Sequence, residues 1–189
     1  GGNVATNAGG IRGAKYGVTR DYVLALEVVL ADGRILNTGA SCMKSVSGYD
    51  LTRLFVGSEG TLGVITLITL KINPRPLASS TATAMFSDLT DAGRAVSDIM
   101  HSGVIPSVLE ILDENALRVL REEGGISMPV AKAMILTETD GYTETEAASQ
   151  MDRIVEVFTK NRAISVNKAG SSAEAQSLWR IRKSVGSVA

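Results

Sequence analysis

Two glycine-rich segments near the start of the chain have the composition of loops that hold a ligand against the backbone. They are residues 6–10, TNAGG, and residues 57–65, GSEGTLGVI. Small residues let backbone amides approach a ligand closely, and the threonine and asparagine add short hydrogen-bonding groups. The second segment is neither a dinucleotide fingerprint nor a P-loop, because it leads into a strand and lacks Gly-Lys-Ser/Thr. Taken singly, each segment is also compatible with a tight turn that binds nothing.

A basic stretch near the end of the chain offers a different chemistry. Residues 178–183 have the sequence LWRIRK. A guanidinium, such as that of Arg182, can hold a carboxylate with two parallel hydrogen bonds. The alternative is that Arg180, Arg182 and Lys183 form the solvated face of a helix.

The only histidine and the only cysteine are expected to be structural. His101 lies near the predicted C-terminus of a helix, where an imidazolium interacts favourably with the helix dipole. Cys42 lies in a loop, and nothing around it in the sequence marks it as a reactive nucleophile. One histidine and one cysteine cannot build a zinc cluster or an intramolecular disulfide.

The composition is that of an ordinary globular protein. Of 189 residues 44% are hydrophobic, and 19 basic and 20 acidic residues give a net charge of -1. Nucleic-acid binding needs a surplus of lysine and arginine, so we expect no nucleic acid partner. No apolar run reaches the roughly 20 residues of a membrane span, and no signal peptide is visible. With a single cysteine, the protein is expected in the cytoplasm or at the periphery of the inner membrane.

The hydrophobic pattern changes at Pro74-Arg75-Pro76, which divides the chain. Before the prolines, strands are predicted over 22–30 and 63–72, with a hairpin turn at Asp32-Gly33. A short helix is predicted over 49–55, with Leu51, Leu54 and Phe55 on one face.

After the prolines, strands and helices alternate, which predicts an α+β layer with helices on one face of a sheet. The predicted strands are 81–86, 106–112, 131–138 and 164–166. The predicted helices run from Asp88 or Thr90 to Ser102, from Asp113 to Arg121, from Thr143 to Asn161, and from Ala173 to Lys183.

Together, the two glycine-rich segments and their surroundings resemble a known flavoprotein family. Residues 4–36 are VATNAGGIRGAKYGVTRDYVLALEVVLADGRIL, and residues 47–76 are SGYDLTRLFVGSEGTLGVITLITLKINPRP. Both resemble the FAD-binding domain of the vanillyl-alcohol-oxidase, or PCMH-type, flavoproteins. The resemblance is greatest to the D-2-hydroxyacid branch, which includes the glycolate oxidase FAD subunit, D-lactate dehydrogenases and D-2-hydroxyglutarate dehydrogenase.

This resemblance implies an α+β fold in two parts. Residues 1–76 would be the second lobe of a PCMH-type FAD-binding domain, with a mixed or antiparallel sheet and helices. Residues 77–189 would be part of a ferredoxin-like α+β cap domain. The implied activity is oxidation of a 2-hydroxy acid such as glycolate or D-lactate by hydride transfer to FAD. The implied partners are an electron acceptor, and a second copy of the chain or other subunits.

The resemblance also assigns residues. The first loop would line the FAD through Thr6, Asn7, Ala8 and Gly9. The opposite wall would be formed, through backbone contacts, by Glu59, Gly60, Thr61, Leu62, Gly63, Val64 and Ile65. Arg182 would bind the substrate carboxylate, whereas Lys15 and Tyr16 are secondary candidates. Asp50 is expected to cap a helix rather than to act in catalysis.

Other parts of the family's machinery are expected outside this chain. The pyrophosphate-binding loop would precede Gly1, and the histidines and glutamate that bind a divalent metal would follow Ala189. We therefore expect a section of a longer protein, with weak or no FAD binding of its own. Gly186 stands where D-2-hydroxyglutarate enzymes carry threonine, which disfavours that substrate. Two alternatives remain: another branch of the same flavin fold (an alcohol or sugar oxidase, or the alkyl-glycerone-phosphate type), and a non-catalytic binding module.

Overall fold

The chain folds into two compact units, Gly1–Arg75 and Pro76–Ala189. The computed structural model describes residues 1–44, 46–122 and 128–188, with side chains up to Arg180. In this described part, no helix is both long enough and apolar enough to cross a membrane.

The first unit is built around a three-stranded antiparallel sheet. Its strands are β1 (Val23–Val29), β2 (Ile35–Gly39) and β3 (Val64–Leu70), in the order β2-β1-β3. Its helices are α1 (Gly2–Ala5), α2 (Gly13–Tyr16) and α3 (Leu51–Phe55). The predicted hairpin is confirmed, since β1 pairs with β2 and Gly33 between them has a φ of 84°.

One face of this sheet carries the core of the first unit. Leu26 and Val28 of β1 are buried with Phe55 and Val56 from the end of α3. Leu51 and Leu54, which were predicted to share a face with Phe55, are not buried with it, since Leu54 is 57% exposed. A helix of one turn has only a narrow inward face. Here Thr52 occupies it beside Phe55 and bonds to Thr38 of β2 with 2.9 Å between their hydroxyl oxygens.

The second unit is a four-stranded antiparallel sheet with four helices. Its strands are β4 (Ala78–Phe86), β5 (Val108–Asp113), β6 (Ala133–Gly141) and β7 (Ser165–Lys168). Its helices are α4 (Leu89–His101), α5 (Glu114–Glu122), α6 (Glu144–Lys160) and α7 (Ser172–Val188). The strand order β5-β6-β4-β7, with α4 and α6 as connections, is the ferredoxin-like β-α-β-β-α-β arrangement. The predicted α+β class and ferredoxin-like second part are therefore confirmed.

Helices cover both faces of the second sheet, so the prediction of helices on one face is wrong. Phe86 and the other residues of its face pack against α4 and α6. Met85 and Met134 point to the opposite face, where they pack with Leu117 and Leu120 of α5. The whole of β6 is buried as a result. The order of strands and helices along the chain indicated one helical layer, but nothing in the sequence showed that a second helical layer would cover the other face.

Side chains cap the helices of the second unit where the sequence predicted. Asp88 accepts a hydrogen bond from the Thr90 amide at 2.7 Å, and this bond lowers the pKa of the Asp88 carboxyl. Asp113 accepts from the Ala116 amide at 2.9 Å. The hydroxyl of Thr143 accepts from the Glu146 amide at 3.1 Å. At the end of α4, His101 bonds through Nδ1 to the Ser97 carbonyl at 2.7 Å. The three caps at helix N-termini each satisfy a backbone amide that lacks a partner inside its helix.

Truncating Phe158 is expected to destabilise the second unit strongly. The ring of Phe158 lies 6.1 Å from that of Phe86, edge to face, and both side chains are fully buried. Phe158→Ala leaves a cavity between sheet and helix and should lower the free energy of unfolding by about 3–5 kcal/mol in chemical denaturation. Tyr142→Ala is the control, because Tyr142 is 55% exposed. Equal losses in the two variants would contradict this assignment of the core.

Candidate functional site

The two glycine-rich segments, distant in sequence, lie side by side in the first unit. The amide of Gly57 donates to the carbonyl of Val4 at 3.0 Å. The amide of Glu59 donates to the carbonyl of Ala5 at 2.9 Å. We call residues 4–9 and 56–60 the loop pair. These bonds fix the backbone of one loop against the other, so the predicted ligand-binding segments form one local structure.

A third segment, which the sequence analysis did not select, joins the loop pair. The main-chain amide of Arg20 donates to Oδ1 of Asn7 at 2.9 Å, and its guanidinium donates to the carbonyl of Val56 at 3.1 Å. Thr19 donates from its hydroxyl to the carbonyl of Ala8 at 2.8 Å. A lone arginine before a strand carries no periodic signal, so only the three-dimensional contacts reveal this role.

The three glycines of the second segment serve three different purposes. Gly57 has a φ of 84°, and a Cβ there would lie 3.2 Å from Cβ of Asn7. Gly63 packs on β1, since a Cβ there would lie 2.6 Å from Cγ1 of Val28. Gly60 has a φ of 79° and no heavy atom within 4 Å of the place a Cβ would take. The backbone at Gly60 is therefore the open one, whereas the other two glycines are required by packing within the unit.

The predicted cofactor residues already make internal hydrogen bonds. The Thr6 hydroxyl donates to the carbonyl of Gly2 at 3.0 Å, and that of Thr61 donates to the carbonyl of Ser58 at 2.6 Å. Oδ1 of Asn7 accepts from Arg20. A hydroxyl that donates one bond keeps its acceptor lone pairs. These side chains can therefore shape the loops and still accept a hydrogen bond from a ligand.

The last residues of the predicted FAD wall divide between the two faces of the sheet. Ile65 packs beside the core with Val28, whereas Val64 points to the other face and is 64% exposed. Leu62, just before the strand, is 43% exposed. Within the described sheet β3 is an edge strand, so one side of its backbone has no strand partner. The open edge of β3 allows its main-chain groups to contact a ligand, and the exposed Leu62 offers a contact to an apolar part of that ligand.

The loop pair and the adjacent Arg20 each contain an unsatisfied polar atom. Nε of Arg20 and Oγ of Ser58 are buried without a hydrogen-bond partner. Such atoms are uncommon in folded proteins, and an ordered water commonly satisfies them. The backbone at Gly60, by contrast, is open to a ligand. Of the secondary candidates, Lys15 places its ammonium 5.6 Å from the ring centre of Tyr16, so the two contact each other.

The second unit holds a buried carboxylate under α7. Glu138 of β6 is only 4% exposed, and its Oε2 accepts from the indole nitrogen of Trp179 at 3.1 Å. Ser107 donates to Oε1 of Glu138 at 3.3 Å. These bonds attach the predicted substrate helix to the sheet. The side chain of Arg182, three residues beyond Trp179, lies outside the described residues. A charged residue within an apolar predicted strand was the signal that could have singled out Glu138.

No group of three or more histidine, cysteine, aspartate or glutamate side chains that could hold a metal ion occurs in the described ranges. Cys42 is a free, exposed thiol.

Asp50 accepts a hydrogen bond from the Arg53 amide at 3.0 Å, which confirms its predicted role as a helix cap.

Two family matches cover most of the chain. Residues 75–188 match the C-terminal domain of FAD linked oxidases, and residues 1–39 match an FAD binding domain. In the solved structures, alkyldihydroxyacetonephosphate synthase has a similar fold, with a TM-score of 0.72 and 21% sequence identity. That similarity covers 95% of this chain and 35% of the synthase. At this identity it supports the fold alone.

Curated relatives are similar along nearly the whole chain. Glycolate oxidase subunit GlcD of Bacillus subtilis (strain 168) is 47% identical, over 97% of this chain and 39% of the relative. D-lactate dehydrogenase of Anaerostipes hadrus is 36% identical, over 96% of this chain and 40% of the relative. Mitochondrial D-2-hydroxyglutarate dehydrogenase of Rattus norvegicus is 37% identical, over 98% of this chain and 35% of the relative.

The chain thus spans well under half of the length of these relatives. The resemblance predicted from residues 4–36 and 47–76 is confirmed, and the family match from 75 to 188 extends it through the second unit. The chain belongs to the FAD-linked oxidases.

Proposed function

We propose that this chain is a section of an FAD-dependent oxidoreductase that oxidises a 2-hydroxy acid such as glycolate or D-lactate. Residues 1–76 would be the C-terminal part of its FAD-binding domain, and 77–189 the N-terminal part of its cap domain. The observation that best supports this proposal is the loop pair, in which the backbones of the two glycine-rich segments lie side by side. The names of the similar proteins supply the substrate class.

In this proposal the loop pair holds FAD mainly through its backbone. Thr6 and Asn7 offer acceptors beside the ligand, and Ala8 and Gly9 leave room for close approach. On the other side, the open backbone at Gly60 and the edge of β3 provide donors and acceptors. Bound FAD supplies the hydride acceptor, and the chain's own contribution is position and electrostatics.

Arg182 is proposed to bind the carboxylate of the hydroxy acid. A two-pronged contact would orient the α-carbon for hydride loss. The attachment of α7 to the sheet supports this role, because Trp179 donates to the buried Glu138. A helix that is fixed to the sheet holds its side chains in defined positions, which the binding of a substrate carboxylate requires.

The proposed activity can be tested on the full-length protein. We expect flavin absorbance after purification or reconstitution with FAD, and bleaching of that absorbance when glycolate or D-lactate is added without oxygen. A colourless protein that cannot be reconstituted would favour a non-catalytic binding module. Flavin that no 2-hydroxy acid reduces, but an alcohol or a sugar does, would favour another branch of the same flavin fold.

Replacing Arg182 by lysine should raise the Michaelis constant for the hydroxy acid strongly while leaving flavin content intact. Lysine keeps the charge but loses the fork that grips a carboxylate. Steady-state kinetics with flavin quantification would measure both effects. Arg180→Lys is the matched control, since Arg180 is exposed and bonds to Ser177. An unchanged Michaelis constant in Arg182→Lys would show that Arg182 belongs to a solvated helix face.

The 189-residue chain alone is expected to bind FAD weakly or not at all. Residues 1–39 match an FAD binding domain, but the chain covers only 39% of the Bacillus subtilis relative. The family's pyrophosphate-binding loop is expected in the preceding sequence, so many contacts to FAD would be missing. Fluorescence titration of FAD with the isolated chain and with the full-length protein would compare the two affinities. Tight, stoichiometric binding by the isolated chain would contradict this expectation.

The remaining parts of the proposal concern residues and molecules outside this chain. An electron acceptor must reoxidise the reduced flavin. The proposed protein partners are a second copy of the chain or other subunits. A divalent metal would be held by residues after Ala189. The proposed location is the cytoplasm or the periphery of the inner membrane.

A further inference from the structure

We propose that Arg20 is a positioning residue of the FAD site, which holds the two loops of the loop pair in register. This inference rests on the proposed function, because it assigns Arg20 a role in cofactor binding. Arg20 contacts both loops at once. Its main-chain amide binds Oδ1 of Asn7 at 2.9 Å, and its guanidinium binds the carbonyl of Val56 at 3.1 Å.

Both contacts fall beside backbone that is held in the left-handed region. Asn7 has a φ of 49° and Gly57, next to Val56, has a φ of 84°. A left-handed conformation is uncommon for residues other than glycine, so Asn7 and Gly57 mark two places where the chain turns sharply. Arg20 supplies a hydrogen bond at each of these two places.

The guanidinium of Arg20 is held in this position by its surroundings. Its Nε is buried without a partner, although an arginine on a free surface would turn that donor to water. A Cβ added to Gly57 would lie 3.5 Å from the guanidinium nitrogen that binds Val56, so the side chain lies directly beside the turn. The bond from a cation to a carbonyl is among the stronger hydrogen bonds in proteins.

Loss of the side chain would leave the Val56–Gly57 turn held only by main-chain bonds, among them those from Gly57 to Val4 and from Glu59 to Ala5. The open backbone at Gly60 would then be less firmly aligned with Thr6–Gly9. A ligand held by backbone groups depends on that alignment, because misplaced donors lose most of their hydrogen-bond energy. The positive charge beside the loops also favours an anionic dinucleotide. Because lysine keeps the charge but lacks the forked guanidinium, the variant Arg20→Lys separates the contribution of the charge from that of the guanidinium.

The test uses the full-length protein with Arg20→Met, Arg20→Lys and the control Arg34→Met. Arg34 is an exposed arginine of the same unit, and its guanidinium pairs with Asp32 in the hairpin turn. The dissociation constant for FAD is measured by fluorescence well below the melting temperature of each apoprotein. The visible circular dichroism of the bound flavin is recorded alongside it.

Arg20→Met should weaken FAD binding by about tenfold or more and alter the flavin dichroism, as expected from losing a bond to a charged group. Arg20→Lys should bind FAD less tightly than the wild type but more tightly than Arg20→Met. Arg34→Met should bind like the wild type. If Arg20→Met does not fold, Arg20→Lys decides the question.

The inference would be overturned if Arg20→Met or Arg20→Lys bound FAD like the wild type with unchanged dichroism. A lower apoprotein melting temperature with an unchanged FAD dissociation constant would make Arg20 a purely structural residue and would also overturn it. If the wild-type protein itself bound no FAD, the proposed function would fail, and this inference would fail with it; FAD binding that is equal in the wild type and the Arg20 variants would overturn the inference alone.

Discussion

Two main-chain hydrogen bonds, from Gly57 to Val4 and from Glu59 to Ala5, connect segments that lie far apart in the sequence. They require the chain to turn through left-handed conformations at Gly57 and at Glu59, where φ is 84° and 50°. Side-chain chemistry is secondary here, because the groups that meet are backbone amides and carbonyls. The small residues around them matter chiefly because they let two backbones, and then a ligand, come close.

The sequence was most informative where a structure depends on near neighbours. The caps at Asp88, Asp113 and Thr143 each bond to an amide within three residues, so a short pattern suffices to locate them. It was least informative about packing. Leu51 and Leu54 fit a helical pattern but are exposed, because a single helical turn buries only what faces its own sheet.

The candidate site shows the same division. The glycine-rich segments were visible because glycine is unusual in a regular element, and their pairing was implied by the family resemblance. The three glycines nevertheless proved to have separate causes, and only Gly60 has an open side. Arg20 could not be selected, since its importance comes from Val56, a partner distant in sequence. Glu138 stands out as a charged residue in an apolar strand, but its partners Ser107 and Trp179 are distant in sequence, so its role could not be predicted.

β4 and β6, the central strands of the second unit, are separated along the chain by α4, β5 and α5. β4 pairs along its full length with β6, so the first strand to leave the ribosome has no central partner until most of the unit has been made. Closing so large a loop is entropically costly, and folds dominated by such distant pairings form slowly. During synthesis the alternating apolar side chains of β4 are therefore exposed for a long interval. Until β6 is complete, the unpaired backbone of β4 is open to pairing with other chains, whereas both faces of the finished sheet are covered by helices.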